Sequence, residues 1–264
     1  MKQKTNITAK ILGMLSFLIY FFLWAPVIVI IVFSFSGNKY GNSWDGFTIK
    51  WYAELFNNVA VKDALVRSLV VASITVIVST IIGTITGYGL YKLHFRGKQF
   101  LRTSILLPIV FPSVVTGSAL LVFFTRFFQI PLGYPSIIIA HIVFSSPLAV
   151  FVILGRMQRF DWSWEEAAMD LGATRFRTFL RVTGPMLLPA IAASAMLIFP
   201  WSFDDFVITY FVAGIGSTTL PIYVFSQLRF GATPVINTIG TLFVVLTMAA
   251  LALMYFVQKK NESI

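Results

Sequence analysis

The chain has 264 residues, of which 58% are hydrophobic and 11% are charged, and its formal net charge at pH 7 is +10. This composition excludes an ordinary soluble globule, which needs more polar surface, and the absence of cysteine excludes disulfides, zinc–thiolate sites and iron–sulfur clusters. The positive charge alone does not indicate nucleic-acid binding, because loops that flank membrane spans account for it.

Six apolar segments are long enough to cross a bilayer, since about 18 apolar residues suffice for one helical span. We predict spans at residues 11–35, 68–91, 104–128, 136–154, 187–211 and 233–257. The first follows three lysines but is longer than the apolar core of a cleaved signal segment, so we expect it to remain as a span. The charged segments between spans are too short to fold alone, so residues 1–264 are predicted to form one all-α membrane domain.

Basic residues concentrate on one side of these spans, which predicts the orientation because short cytoplasmic loops carry the excess of positive charge. With both termini inside, fourteen of the 20 Lys and Arg residues are cytoplasmic, namely Lys2, Lys4, Lys10, Lys92, Arg96, Lys98, Arg102, Arg156, Arg159, Arg175, Arg177, Arg181, Lys259 and Lys260. The outer six are Lys39, Lys50, Lys62, Arg67, Arg126 and Arg229. We therefore predict that both termini are cytoplasmic.

The predicted outer loop at residues 36–67 is rich in aromatic and apolar side chains. They are Trp44, Phe47, Trp51, Tyr52, Leu55 and Phe56. Such a set suits either a helix at the membrane interface or a docking surface, and the sequence favours neither.

Residues within the predicted spans indicate how the helices pack. Gly83, Gly87 and Gly89 in the second span suit close contact between helices. His141 in the fourth span is interpreted as a hydrogen-bonding residue between helices, with a proton relay as the alternative. Prolines in the third and fourth spans, namely Pro108, Pro112 and Pro147, predict kinks.

The predicted inner loop between the fourth and fifth spans has the pattern of two short helices. Ser163 with Glu166 three positions later is a capping box, which predicts a helix that starts at Ser163 and stops at Gly172. A second amphipathic helix is predicted to follow and to end at Gly184 and Pro185. This patterning alone also suits a helical pair that lies on the membrane surface.

The spacing in this loop resembles the cytoplasmic EAA motif of bacterial ABC-importer permeases. Glu166, Ala167, Ala168, Gly172 and Pro185 match the motif, whereas Val182 and Gly184 replace the usual isoleucine and leucine. The resemblance implies the type I importer permease fold, with a coupling loop at about residues 155–185 that docks on a separate ATP-binding subunit. The ATPase-coupling residues that it implies are Glu166, Ala167, Ala168, Asp170, Gly172 and Pro185. The chain itself contains no phosphate-binding G-x-x-x-x-G-K-[ST] sequence.

Over nearly its whole length the chain is similar to the permeases of spermidine/putrescine importers. The similarity is carried by residues 44–58, residues 91–98 and the stretch Ser202-Phe203-Asp204-Asp205-Phe206-Val207. It implies a chain that is not an enzyme and carries no cofactor, because ATP and Mg bind to a partner ATPase dimer. It also implies a second related permease, an extracytoplasmic solute-binding protein, a polyamine substrate, no nucleic-acid partner, and a place among the lipids of the bacterial cytoplasmic membrane.

Two adjacent carboxylates, Asp204 and Asp205, fall inside the predicted fifth span, roughly 25 Å from its cytoplasmic end. Ionisable groups at such depth cost at least ~2.5 kcal/mol each and normally face a cavity or a partner. On a continuous helix Asp205 shares a face with Ser202 and Thr209, so Asp205 is the better candidate for lining a pathway. The alternative is that the span ends near Trp201 and both carboxylates lie in an external turn.

Aromatic residues accompany the two carboxylates, and anionic groups beside aromatic faces suit a cationic, partly aliphatic solute. The predicted substrate-pathway residues are Asp204, Asp205, Trp201, Phe203 and Tyr210. We predict no catalytic residue and no metal site. The alternatives are a permease for another small solute, a secondary carrier or cation channel that uses the aspartates, and an intramembrane enzyme with an aspartate dyad.

Overall fold

The computed structural model describes residues 7–39, 43–229, 231 and 233–262. These residues form thirteen α-helices, two of which are continued by π-helical turns at Phe123–Phe127 and Phe179–Thr183. In chain order the helices are α1 (Ile7–Phe33), α2 (Lys50–Asn57), α3 (Val59–Lys92), α4 (Lys98–Ile105), α5 (Leu107–Val110), α6 (Ser113–Val122), α7 (Tyr134–Met157), α8 (Ser163–Asp170), α9 (Arg175–Thr178), α10 (Gly184–Phe203), α11 (Val207–Val212), α12 (Leu220–Leu228) and α13 (Pro234–Glu262).

Four of the six predicted spans correspond to long apolar helices of the structure, and the described residues are nearly all helical, which confirms the all-α membrane fold. Among the described residues, four helices are long and apolar enough to cross a membrane, namely Ala9–Phe33, Val59–Lys92, Tyr134–Met157 and Arg175–Phe203. A bent helix pair at the predicted third span would make five, and α13 (Pro234–Glu262) lies at the predicted sixth span. The protein is therefore a multi-pass membrane protein.

The third predicted span is broken instead of continuous. Helices Lys98–Val110 and Ser113–Phe127 meet at an angle of 103°. Phe111 is extended, with φ −71° and ψ 140°, and Pro112 precedes α6 as its N-cap residue. A proline lacks the N–H that a continuing helix needs and disfavours helical geometry in the residue before it, which explains a break at this position. Pro147, in contrast, lies inside the uninterrupted helix α7.

The fifth predicted span ends earlier than the apolar pattern suggests. Helix α10 stops at Phe203 and α11 starts at Val207, so Asp204 and Asp205 lie in the connection and not on a continuous helix. The prediction of a helix through residue 211 was therefore wrong. The Asp205 carboxylate accepts a hydrogen bond from the Thr209 N–H at 2.8 Å, and such a side-chain acceptor competes with helix continuation. Helix α11 nevertheless buries Ile208 and Val212, so it is not an exposed turn.

The chain divides into two compact units, residues 63–223 and residues 1–62 with 224–264. In the latter unit, α1 and α2 both pack against α13. Within the outer loop, α2 buries Trp51 and Leu55, and the Trp51 Nε1–H donates to the Ser36 carbonyl at 2.7 Å. Part of the aromatic set in this loop is therefore structural. The most apolar stretch of α1 has no buried residue within the structure, as expected for a helix that faces lipid.

In the unit of residues 63–223, helix α7 packs against α10, α11 and α5. Helix α3 also approaches α7 closely, because a Cβ added at Gly83 would overlap Ala149 and one at Gly87 would lie 2.8 Å from the Ile153 side chain. The close packing predicted for these two glycines is confirmed. Gly89 differs, since a Cβ there would meet only the Leu93 side chain at 4.0 Å.

Candidate functional site

A chain of buried hydrogen bonds joins α7 to the connection that carries Asp205. His141 Nδ1 lies 2.7 Å from the Ser202 hydroxyl, and His141 Nε2 lies 2.8 Å from the Thr209 hydroxyl. Thr209 in turn donates to Asp205 Oδ2 from its hydroxyl at 3.0 Å. The interpretation of His141 as a residue that hydrogen-bonds between helices is confirmed.

The directions of these hydrogen bonds follow from counting donors. The Thr209 hydroxyl has one proton, and it uses that proton to reach Asp205 Oδ2. His141 Nε2 must then donate to the Thr209 oxygen, which leaves Nδ1 as the acceptor for the Ser202 hydroxyl when the ring is neutral. His141 Nε2 also lies 3.5 Å from Asp205 Oδ2.

Asp205 also contributes to the wall of a cavity of about 150 Å³. The cavity lies at the break between α5 and α6, and its lining comprises Pro108, Ile109, Phe111, Ser113, Thr116, Phe144, Trp201, Asp205 and Ile208. Irregular backbone at membrane depth is tolerated where it lines such a cavity. Phe144 connects the cavity wall to the polar chain, with its ring centroid 5.3 Å from that of His141 and 6.4 Å from that of Trp201.

The five residues predicted from sequence as a substrate pathway do not all meet at this cavity. Within the described part of the chain, its lining includes Asp205 and Trp201 but not Asp204, Phe203 or Tyr210. Asp204 is exposed at the end of α10, and Phe203 is buried with its ring stacked on Phe199 at 5.6 Å. Tyr210 is half-exposed and contacts Phe206. The two carboxylates thus lie in different environments, so they do not form the pair of carboxylates sharing one proton that an aspartate-dyad enzyme would need.

Sequence reasoning missed the residues of α5 and α6 that face Asp205. The only signal for them was the pair Pro108 and Pro112, which marks an irregular span without saying what it faces. The ring of Phe144 was missed as well, because one phenylalanine in an apolar helix carries no signal of its own.

Helix α8 in the inner loop has the bounds that the sequence predicts, but its N-terminus is capped differently. The residue before the helix is Trp162, with no capping hydrogen bond from its side chain, and the Asp161 carboxylate accepts from the Ser163 N–H at 3.1 Å. The predicted capping box was therefore wrong. The Glu166 side chain is exposed.

The C-terminal end of α8 is a Schellman motif centred on Gly172. The Ala173 N–H donates to the Ala168 carbonyl at 3.1 Å, and the Gly172 N–H donates to the Met169 carbonyl at 2.9 Å. Gly172 has φ +84°, a conformation that side chains rarely adopt, so glycine is required for this turn. The prediction that Gly172 stops the helix is confirmed.

The exposed face of α8 contains the other residues predicted for coupling. Glu166, Ala167 and Asp170 are exposed, Ala168 is half-buried, and Leu171 is 90% exposed. Small side chains next to an exposed leucine leave a shallow surface on which another backbone can approach closely.

The second short helix of the loop does not end at Gly184 and Pro185, so that prediction was wrong. Helix α9 passes through the π-helical turn Phe179–Thr183 into α10 without a break. The Gly184 N–H donates to the Phe179 carbonyl, five residues back, in the π-helical pattern. Pro185 therefore lies inside this continuous helix, at the start of α10 and directly after the π-helical turn.

Comparisons with known proteins agree with these features. Residues 79–262 match the family model described as binding-protein-dependent transport system inner membrane component. The chain is 35% identical over 246 residues to the spermidine/putrescine transport system permease protein PotC of Haemophilus influenzae, covering 93% of this chain and 95% of that protein. It is 39% identical over 228 residues to the putrescine transport system permease protein PotI of Escherichia coli K12, and this match covers 84% of this chain and 81% of that protein.

Among solved structures, the chain is similar to a bacterial ABC transporter involved in the import of the acidic polysaccharide alginate. The TM-score is 0.72 at 16% sequence identity, and the match covers 98% of each chain. At this identity the similarity supports the fold alone.

Proposed function

The chain belongs to the family of binding-protein-dependent transport system inner membrane components, and we propose that it is a permease subunit of an ATP-driven polyamine importer. The observation that carries this proposal is the identity of 35% and 39% to two polyamine permeases over most of the chain. The alternatives of a stand-alone carrier and an intramembrane enzyme do not fit this family, which is described as a component of binding-protein-dependent transport systems.

The cavity beside Asp205 supports a cationic solute. A polyamine carries ammonium groups separated by methylenes, so its passage requires carboxylates with apolar or aromatic surface between them. Asp205 supplies a carboxylate, while Phe144, Trp201 and Phe111 supply the aromatic surface around it. An anionic solute, in contrast, would be repelled by this carboxylate.

We assign the docking of the ATP-hydrolysing subunit to the exposed face of α8. Glu166 is available to pair with a basic group of a partner, and the exposed Leu171 is available for an apolar contact. ATP and Mg would bind to that partner dimer. We propose that both termini lie on the cytoplasmic side, which the distribution of basic residues supports.

Two further partners complete the proposed complex. A second, related permease would form the other half of the pathway, and an extracytoplasmic binding protein would deliver the polyamine. The family description, which names transport dependent on a binding protein, supports the second of these.

Uptake of radiolabelled putrescine and spermidine by the complex in proteoliposomes tests the proposal. The chain is co-expressed with the proposed second permease and ATPase, purified and reconstituted, and ATP is enclosed on the side of α8. ATP-dependent uptake of either polyamine, competed by unlabelled polyamine but not by an acidic oligosaccharide, is the expected result. A complex that takes up neither polyamine would refute the assigned substrate, and a chain that purifies without an ATPase would refute the importer assignment.

A further inference from the structure

Glu165, which directly precedes the exposed Glu166, is buried. Only 3% of its surface is exposed, although it lies in the first turn of the docking helix α8. A carboxylate is rarely buried to this degree unless its oxygens have partners.

Each oxygen of the Glu165 carboxylate is held by a different membrane helix. Oε2 lies 2.5 Å from the Nζ of Lys92, the last residue of α3. Oε1 accepts a hydrogen bond at 2.5 Å from the hydroxyl of Thr183, the last residue of the π-helical turn that leads into α10. One side chain of α8 thus joins the ends of two predicted membrane-spanning helices.

Aromatic contacts reinforce the same junction. The Trp162 ring stacks on Tyr91 with centroids 5.0 Å apart, and its Nε1–H donates to the Tyr91 hydroxyl at 3.2 Å. The Lys92 ammonium lies 3.9 Å from the centre of the Trp162 ring. The residue before α8 is therefore attached to the same end of α3 that holds Glu165.

Glu165 is buried and Lys92 is one-third exposed, and the cost of removing the carboxylate from water offsets much of their attraction. The main effect of this ion pair is then to fix the relative position of the two side chains. Here the specified geometry is that of α8 relative to α3 and α10. We propose that Glu165 is a positioning residue that holds the docking helix to Lys92 and Thr183, so that displacement of α8 moves the ends of α3 and α10 with it. This inference rests on the proposed docking function of α8.

The two adjacent glutamates then have separate roles. Glu166 contacts the partner, and Glu165 transmits the movement of the loop to the membrane helices. Loss of Glu165 leaves the docking face of α8 unchanged, so the complex is expected to assemble and hydrolyse ATP while uptake per ATP falls.

The test compares Glu165→Gln, Lys92→Met and the double variant in the reconstituted complex, with Arg102→Met as the control for loss of one inner-loop cation. Arg102 is exposed on α4 and its replacement is expected to have no effect. Three quantities are measured for each complex: ATP turnover, ATP-driven putrescine uptake, and hydrogen exchange of the α8 amides. For both single variants we expect the ratio of uptake to ATP turnover to fall about tenfold or more, because misplaced elements lose productive geometry. Exchange in α8 should accelerate.

The double variant separates positioning from a general structural defect. It removes the buried, unpaired Glu165 carboxylate that Lys92→Met leaves behind, so its thermal midpoint should recover from the value of Lys92→Met toward the wild-type value. Its ratio of uptake to ATP turnover should stay as low as in the single variants. Recovery of this ratio together with stability, or wild-type coupling in Glu165→Gln, would overturn the proposal. If the wild-type complex does not transport polyamine, the proposed function is refuted. The positioning role of Glu165 is then still tested by whether Glu165→Gln accelerates hydrogen exchange of the α8 amides.

Discussion

Replacing Asp205 by asparagine removes one negative charge from the cavity wall with almost no change in side-chain size. The amide oxygen can still accept from the Thr209 N–H and hydroxyl, which lie 2.8 Å and 3.0 Å from Asp205 Oδ2. The connection between α10 and α11 should therefore keep its conformation. Any change in polyamine uptake is then caused by the loss of the negative charge of Asp205.

The expected magnitude follows from the burial of this side chain, which is 11% exposed. An ammonium about 4 Å from a carboxylate gains about 4 kcal/mol at an effective dielectric constant of about 20. Desolvation of the ammonium offsets part of this attraction, which leaves about 1.4 to 2.8 kcal/mol. That difference corresponds to an approximately 10- to 100-fold loss in uptake efficiency for polyamine.

The assay is the initial rate of putrescine uptake at several concentrations in proteoliposomes that contain the assembled complex. Asp204→Asn is the matched control, because it makes the same change one residue away at an exposed position that does not line the cavity. We expect its effect to be clearly smaller. Equal uptake by the wild type and the Asp205→Asn complex would refute the assignment of Asp205 to the pathway, and equal losses in both variants would refute the role of the cavity.

Three further predictions address the docking face, the orientation and the helix packing. Glu166→Lys should leave the chain inserted in the membrane but abolish ATP-driven uptake, because it reverses the charge on the docking face of α8; wild-type transport would contradict this role. A cysteine at the fully exposed Ile215 should react with an impermeant thiol reagent in intact cells whereas one at Ser163 should not, and the reverse labelling would invert the topology. Gly83→Leu should destabilise the purified chain by about 1–3 kcal/mol or more, because the leucine side chain collides with α7. Gly89→Ala should have little effect, since no side chain or backbone of another helix lies near that position. Equal thermal midpoints of the two variants would show that α3 and α7 do not pack as described.

The end of α8 and the packing role of two glycines were predictable from the sequence because both depend on local patterns. Gly172 ends α8 since its conformation has φ +84°, which only glycine adopts easily. The spacing of Gly83 and Gly87 places both on one face of α3 wherever that helix lies. Local signals of this kind do not depend on distant parts of the chain.

Helix breaks within apolar segments were harder to predict. The apolar run through residue 211 concealed the end of α10, because hydropathy measures burial in lipid or protein and not helical continuity. The angle of 103° between the two halves of the third span could likewise not be predicted from the sequence, although Pro112 indicated where the helix breaks.

By itself the sequence determined the class of protein, most of the apolar segments that enter the membrane and the short helix with the EAA-like spacing. The length of apolar runs and the spacing of the EAA motif are properties of neighbouring residues, so they can be read along the chain. Only the tertiary structure decided which of two adjacent acids is buried, at Asp204 and Asp205 and again at Glu165 and Glu166. The partners that distinguish them, His141 on α7 and Lys92 on α3, lie tens of residues away, and only folding brings them within hydrogen-bonding distance.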